Sequence, residues 1–267
     1  MSFGAVLPLT GLAGWKLLQK TEARQTEIMA RQPSRLREAE YFRQNIGKIS
    51  SAQDLVADRR LLAVSLGAFG LQDDLPNRAF IEKVLSGGTL DPKALANKLA
   101  DKRYAKLSAA FGFDLTPPKT KLSTFPDRIL ANWTAQGFER SVGDQDENLR
   151  LAMNARRELA ELARSTMTEG TKWYTVLGQP PLRAVFEAAF GLPTAFARIP
   201  IERQKEIFEE KAATALGDKT VSQFADPRKV ENLLTKFLVR SDLKSFSMGP
   251  SKAQTALMLL QGMNISR

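Results

Sequence analysis

The chain contains no cysteine and no histidine. Without cysteine there is no disulfide framework and no zinc-thiolate site. Without histidine it lacks the usual acid-base group near neutral pH, the commonest metal ligand and every Ser-His or Cys-His nucleophile arrangement. No apolar run approaches the roughly 20 residues that span a bilayer, and no run of five or six like charges marks a basic or acidic tail. Nowhere do apolar and polar residues alternate over a sustained stretch, so strand is not expected. The N-terminal apolar segment has no basic residues ahead of it. Lys16 and Lys20 follow it instead, the reverse of a secretory signal, which predicts a cytoplasmic location or an export route that needs no such signal.

What remains is 267 residues, with 39 Lys plus Arg against 29 Asp plus Glu and a net charge of +10. That length suits one large or two modest domains. It buries roughly 70–75% of the unfolded surface without a staple. The basic excess favours anionic partners through long-range attraction, but the positive residues are dispersed along the chain.

The pattern is that of an all-α, irregular multi-helix bundle with internally repeated capped helices. Ser51 with Asp54 three residues on reads as a capping box. Leu55, Leu62, Leu66 and Phe69 then recur at helical spacing, and Gly70 supplies a left-handed stop. This predicts one helix between Ser51 and Gly70. An echo follows at an offset of 43 residues, Ala57-Asp58-Arg59-Arg60 against Ala100-Asp101-Lys102-Arg103. It is introduced by Asp91-Pro92 and stopped at Gly112. The Ala-Phe-Gly stop returns at Ala189-Phe190-Gly191, and the Asp-Pro start at Asp226-Pro227. Other helices are predicted for Lys16–Ala30, from Ser34 as a cap, from Pro126, for Glu147 to about Arg164, for Leu182–Phe190, from Pro200 and from about Pro250, the last with Ala253, Leu257 and Leu260. Leu115 to Ser123, with Pro117-Pro118, is the best linker. The expected division is a flexible arm over residues 1–15, a helical lobe over 16–116 and a second over 124–267, or one continuous domain formed by both lobes.

Recognisable site chemistry fails on individual residues. Asp144, Asp146 and Asn148 resemble a calcium loop, but Leu149 and Ala155 replace its glycine and glutamate, so a helix cap is the ordinary reading. Gly217-Asp218-Lys219-Thr220 resembles the end of a phosphate loop, with Asp218 in place of the glycine before lysine. Ser241 and Lys244 have dyad spacing without companion motifs. Glu158 and Glu161 are helix-surface neighbours, and Arg157 is placed to pair with Glu161. No catalytic residue, cofactor or metal ligand is assigned. The residues placed to bind a partner are Leu9, Leu12, Trp15, Lys16, Lys20 and Arg24, apolar then basic, on the N-terminal arm and the helix after it.

Several stretches resemble one family: Leu9-Thr10-Gly11-Leu12-Ala13-Gly14-Trp15, Asp54 through Leu62, Ala68-Phe69-Gly70-Leu71, Leu95 through Tyr104, and Ala189-Phe190-Gly191-Leu192-Pro193. It is the set catalogued as domain of unknown function 1217, whose genes, mostly alphaproteobacterial, tend to lie among flagellar genes. The resemblance implies a non-enzymatic, flagellum-associated protein acting on an axial or basal-body partner, and carries no catalytic residues. The alternative is a basic helical binder of nucleic acid or another polyanion. Aromatics beside cations, as at Trp15-Lys16 and Lys172-Trp173-Tyr174, would serve it as stacking platforms.

Overall fold

The computed structural model describes residues 4–248, all helix, turn and loop, with no strand among them. The α-helices are α1 (Gly11–Ala30), α2 (Pro33–Asn45), α3 (Ala52–Ala57), α4 (Arg59–Gly67), α5 (Arg78–Ser86), α6 (Leu95–Lys98), α7 (Arg103–Phe111), α8 (Phe125–Gly143), α9 (Glu147–Arg164), α10 (Glu169–Gly178), α11 (Pro180–Phe190), α12 (Ile201–Leu216) and α13 (Pro227–Met248). The helix expected from Pro250, with Ala253, Leu257 and Leu260, lies outside the described residues.

The capping box forms as the sequence predicts. Asp54 N donates to Ser51 Oγ at 3.1 Å, and Ser51 N donates to Asp54 Oδ2 at 3.0 Å. The helix it begins is short. Asp58 takes an extended conformation, φ −92° and ψ 102°, and ends α3. Its Oδ1 accepts from Arg60 N at 2.9 Å and Leu61 N at 3.0 Å, so it caps α4. The single helix expected here is therefore two. The echo breaks at the equivalent place: α6 stops at Lys98, and Asp101 Oδ1 accepts from Arg103 N at 2.9 Å where α7 begins. The repeated Ala-Asp-x-Arg motif is a break and restart, because a short carboxylate competes for the amides that a continuing helix would use. Asp226 does the same for α13, accepting from Arg228 N at 2.9 Å.

The stops are as read. Gly70, Gly112 and Gly191 have φ of 70°, 60° and 66°. At Gly191 the turn is closed by Leu192 N donating to Glu187 O at 2.8 Å. That left-handed backbone costs a residue bearing a Cβ about 1–2 kcal/mol.

A lysine or arginine from a later element meets a carbonyl at or beside the helix ends stopped by Gly70, Gly112, Gly191 and Gly217. Arg103 Nη1 donates to Gly70 O at 2.5 Å, and Lys119 Nζ donates to Ala109 O at 2.8 Å. Arg240 Nη1 donates to Ala189 O at 2.7 Å, and Lys229 Nζ donates to Leu216 O. Cations there satisfy carbonyls that have no helical partner and offset the negative end of the helix dipole.

The described residues group into two compact units, one of residues 4–8 and 16–150, the other of 9–15 and 151–248. In the first, Phe42, Ile46, Leu55, Leu62, Leu66, Ile81, Leu85, Leu107, Phe111, Phe125 and Ile129 form a core, with Phe111 and Phe125 edge to face at 5.0 Å. Residues 119–121, in the stretch read as a linker, form a 3₁₀ turn inside this unit. Thr120 is buried there and donates to Ile49 O at 2.7 Å. The second unit is centred on rings. Trp173 meets Phe186 at 5.5 Å, and Phe208 stacks on Phe196 at 5.2 Å. Each buried ring contributes roughly 1.5–3 kcal/mol.

Candidate interaction site

The six residues placed on a partner surface by sequence do not share one environment. Trp15 is fully buried. Its indole nitrogen donates to the Glu231 carboxylate at 3.1 Å, and the Arg156 guanidinium lies 5.1 Å from its ring. It is a core residue of the second unit, and the arm reading is corrected accordingly: α1 begins at Gly11, five residues before the helix start expected at Lys16. Leu9 is exposed and Leu12 half-buried. Lys16, Lys20 and Arg24 are all exposed and spaced four apart on α1, on the face opposite buried Leu18, Gln25 and Met29. Spacing of four keeps them on one helix surface. None of the three has an ion-pair or side-chain hydrogen-bond partner among the described residues.

A concave site lies elsewhere in the first unit. An open groove of about 340 Å³ is lined by Glu38, Arg59, Arg60, Ala63, Val64, Leu75 and Trp133. α2 contributes Glu38, α4 the next four residues, the turn after α4 Leu75, and α8 Trp133. Trp133 is fixed from two sides. The Arg35 guanidinium sits 3.8 Å over its ring while Arg35 Nη2 donates to Trp133 O at 3.1 Å. A Cβ at Gly67 would come within 2.8 Å of the indole, so glycine there lets the ring lie against α4. Burial lowers the Arg35 pKa below the usual guanidinium value.

At the rim, Arg60 Nε pairs with Glu38 at 3.0 Å and its guanidinium covers the Tyr41 ring at 3.7 Å. The Tyr41 hydroxyl in turn donates to Asp58 Oδ2 at 2.6 Å. Burial alone would raise the Asp58 carboxyl. The Tyr41 hydroxyl and the Leu61 and Arg60 amides outweigh it and hold the group below the usual carboxylate range. Arg59 is exposed and has no side-chain partner among the described residues.

Sequence reasoning missed this groove. Trp133 falls four residues after Ile129 and reads as one more core residue of α8. Arg59 reads as one of a basic pair inside a helix. The signal that could have located it is Asp58 as a cap, which places Arg59, Arg60, Ala63 and Val64 on one turn and a half of a new helix.

Asp146, Asp218, Lys219 and Arg157, from three of the stretches with catalytic-looking spacing, make local structural contacts. Asp146 Oδ1 accepts from Leu149 N at 3.0 Å, a helix-cap contact. Asp218 Oδ1 accepts from Thr220 N at 2.8 Å, and Lys219 O accepts from the Trp173 indole at 2.9 Å. Arg157 pairs with its neighbour Glu158. A polar knot sits in the second unit, where Lys172 Nζ donates to Ser222 Oγ at 2.7 Å, Ala163 O at 3.1 Å and Glu169 Oε1 at 3.1 Å. Glu169 also accepts from Val221 N at 2.7 Å. Burial would raise the Glu169 carboxyl, but the bonds from Ser222, Lys172 and the two amides hold it below its ordinary value. With three acceptors engaged, the Lys172 side chain fastens α9, α10 and the turn at Ser222 to one another.

A family model described as "Protein of unknown function (DUF1217)" matches residues 68–230, more than half of the chain. The chain belongs to the DUF1217 family. The crystal structure of protein AGR_C_984 from Agrobacterium tumefaciens is similar to it, with 27% identity and a TM-score of 0.73 over 91% of this chain and 99% of that one. No curated protein matches the chain. This DUF1217 chain shares its fold with that structure over nearly its whole length. No helix among the described residues is long and apolar enough to cross a membrane.

Proposed function

We propose that this DUF1217 protein is a non-enzymatic, flagellum-associated structural or assembly protein that works through protein–protein contacts with an axial or basal-body component. The flagellar setting rests on the family resemblance. The contact role rests on one observation, the open groove with a fixed tryptophan on its floor and an unpaired arginine on its rim. Tryptophan and arginine are over-represented among the residues that carry binding energy at protein interfaces. Deleting the gene is expected to reduce motility or flagellar number. A pull-down from motile cells, with cytoplasmic and flagellar fractions kept apart, is expected to recover a flagellar component. Unchanged flagella and motility in the deletion strain would end this reading.

The second reading, a polyanion binder, draws on exposed Lys16, Lys20 and Arg24 along α1. A salt-titrated gel shift separates the two, since polyanion binding weakens steeply with salt.

A further inference from the structure

The groove's lining defines the chemistry of what it holds. Val64 is buried, while Ala63, Leu75 and Trp133 are half-buried, so the floor is apolar and partly wet. Covering it removes water from apolar surface, the main driving term in association. The groove is open rather than enclosed, which suits one side of a polypeptide better than a small molecule that must be surrounded on most sides. Its volume of about 340 Å³ accommodates one or two large side chains.

Charge then narrows the choice. Glu38 and Arg60 satisfy one another. Arg59 is left over, one turn before Ala63 on α4. Positions four apart on a helix sit about 6 Å apart, so a carboxylate on Arg59 and an apolar side chain on Ala63 would belong to one short segment. The apolar floor offers bases the single ring of Trp133 rather than a row of rings, against the pattern of single-strand binders.

We propose that the groove docks an acidic amphipathic segment of a partner protein, with a large apolar side chain over Ala63, Val64, Leu75 and Trp133 and a carboxylate on Arg59. The proposal rests on the contact role given above and names the chemistry of that contact. The site is built in advance, since Trp133 is held by Arg35 and Gly67 whether or not a partner is bound. Pre-organisation lowers the ordering cost of binding.

Trp133 supplies its own readout. Trp15 and Trp173 are fully buried, with their indole nitrogens bonded to Glu231 and Lys219, so a groove ligand acts chiefly on Trp133 emission. The probe is a blocked amphipathic peptide of about three helical turns, with leucine and phenylalanine on one face and glutamates flanking them, added to the full chain. The expected result is a saturable blue shift that is lost in Trp133→Phe. Arg59→Glu is expected to weaken binding about tenfold or more, a change of at least ~1.4 kcal/mol, while its far-ultraviolet spectrum and melting temperature stay unchanged.

The same peptide with lysine for glutamate, or serine for its apolar residues, is expected not to saturate. The proposal fails if the acidic peptide gives no saturable change, if the lysine version binds as well, if Arg59→Glu binds like the parent, or if oligothymidylate competes for the Trp133 signal. Complementation of the deletion strain separates the two levels. Full rescue of motility by Arg59→Glu would remove the groove from the function and leave the contact role standing. A strain with no phenotype would remove the flagellar role and leave the peptide result to stand on its own.

Discussion

Arg103 Nη1 lies 2.5 Å from the carbonyl oxygen of Gly70, so the residue that opens α7 closes the turn that ends α4. The same guanidinium forks onto Asp101, with Nε at 3.1 Å from Oδ1 and Nη2 at 2.7 Å from Oδ2. Burial alone would raise the Asp101 carboxyl, but these bonds hold it below its ordinary value. Arg103→Ala is expected to cost about 1 kcal/mol, chiefly for the bond to Gly70 O, because the pair with Asp101 is 55% exposed on the arginine side and water screens it. Arg103→Lys is expected to recover only part of it, because an ammonium cannot reproduce the fork. Thermal denaturation of the three proteins measures both.

Lys172 and Arg203 make a paired comparison. The Lys172 side chain is 5% exposed in its ion pair with Glu169, whereas Arg203 is 57% exposed in its pair with Glu206. Lys172→Met should destabilise the chain by about 2–3 kcal/mol, since it leaves a partly buried carboxylate and Ala163 O without their donor. Arg203→Met should change stability by less than about 0.5 kcal/mol, as exposed pairs do. Equal losses in urea denaturation would contradict the assignment of Lys172 as an internal fastener.

Tyr104 gives an alkaline signature. Burial, then its 2.7 Å hydrogen bond to Asp74, pushes the phenol up to about 12. The raised value means the folded state favours the protonated form. The resulting stability is fully present below the unfolded value near 10, and it is lost as pH rises from there through about 12. Ultraviolet titration of phenolate should show a component near pH 12 that disappears in Tyr104→Phe, and stability should decline across the same window.

Asp58 gives the acid counterpart. Its folded carboxyl sits below the unfolded one, so its contribution is present above the unfolded value near 4 and is lost as pH falls through the lower, folded value. Asp58→Ala removes the cap of α4 and the acceptor for Tyr41. It should cost about 1–2 kcal/mol at neutral pH, and the gap between mutant and parent should narrow on acidification. A gap that stays constant down to strong acid would mean the carboxylate charge is not what caps the helix.

How far the sequence carried can be judged from particular residues. The all-α class, the Ser51 box, the Asp226-Pro227 start and the left-handed stops at Gly112 and Gly191 depend on neighbours within a few positions, and local chemistry declares them. The break at Asp58 was hidden because Leu55 and Leu62 are seven apart, two helical turns, so the apolar rhythm continues straight through it. Trp15 read as part of an arm because Gly11 and Gly14 look like interruptions. Both are buried, and their small size suits a helix start that is covered. The groove depended on α2, α4 and α8 coming together, a relation among segments up to 98 residues apart, as Arg35 and Trp133 are, and no local periodicity encodes it.

Lys119 and Lys229, tied to the last carbonyls of α7 and α12, change how chemical labelling of this chain should be read. An amine-acylating reagent aimed at its surplus positive charge would also cut these two tethers, and helix ends would fray. Loss of a groove ligand after such treatment would then report unravelled ends, because acylation leaves the Arg59 guanidinium untouched, so single-residue replacement at Arg59 is the cleaner probe.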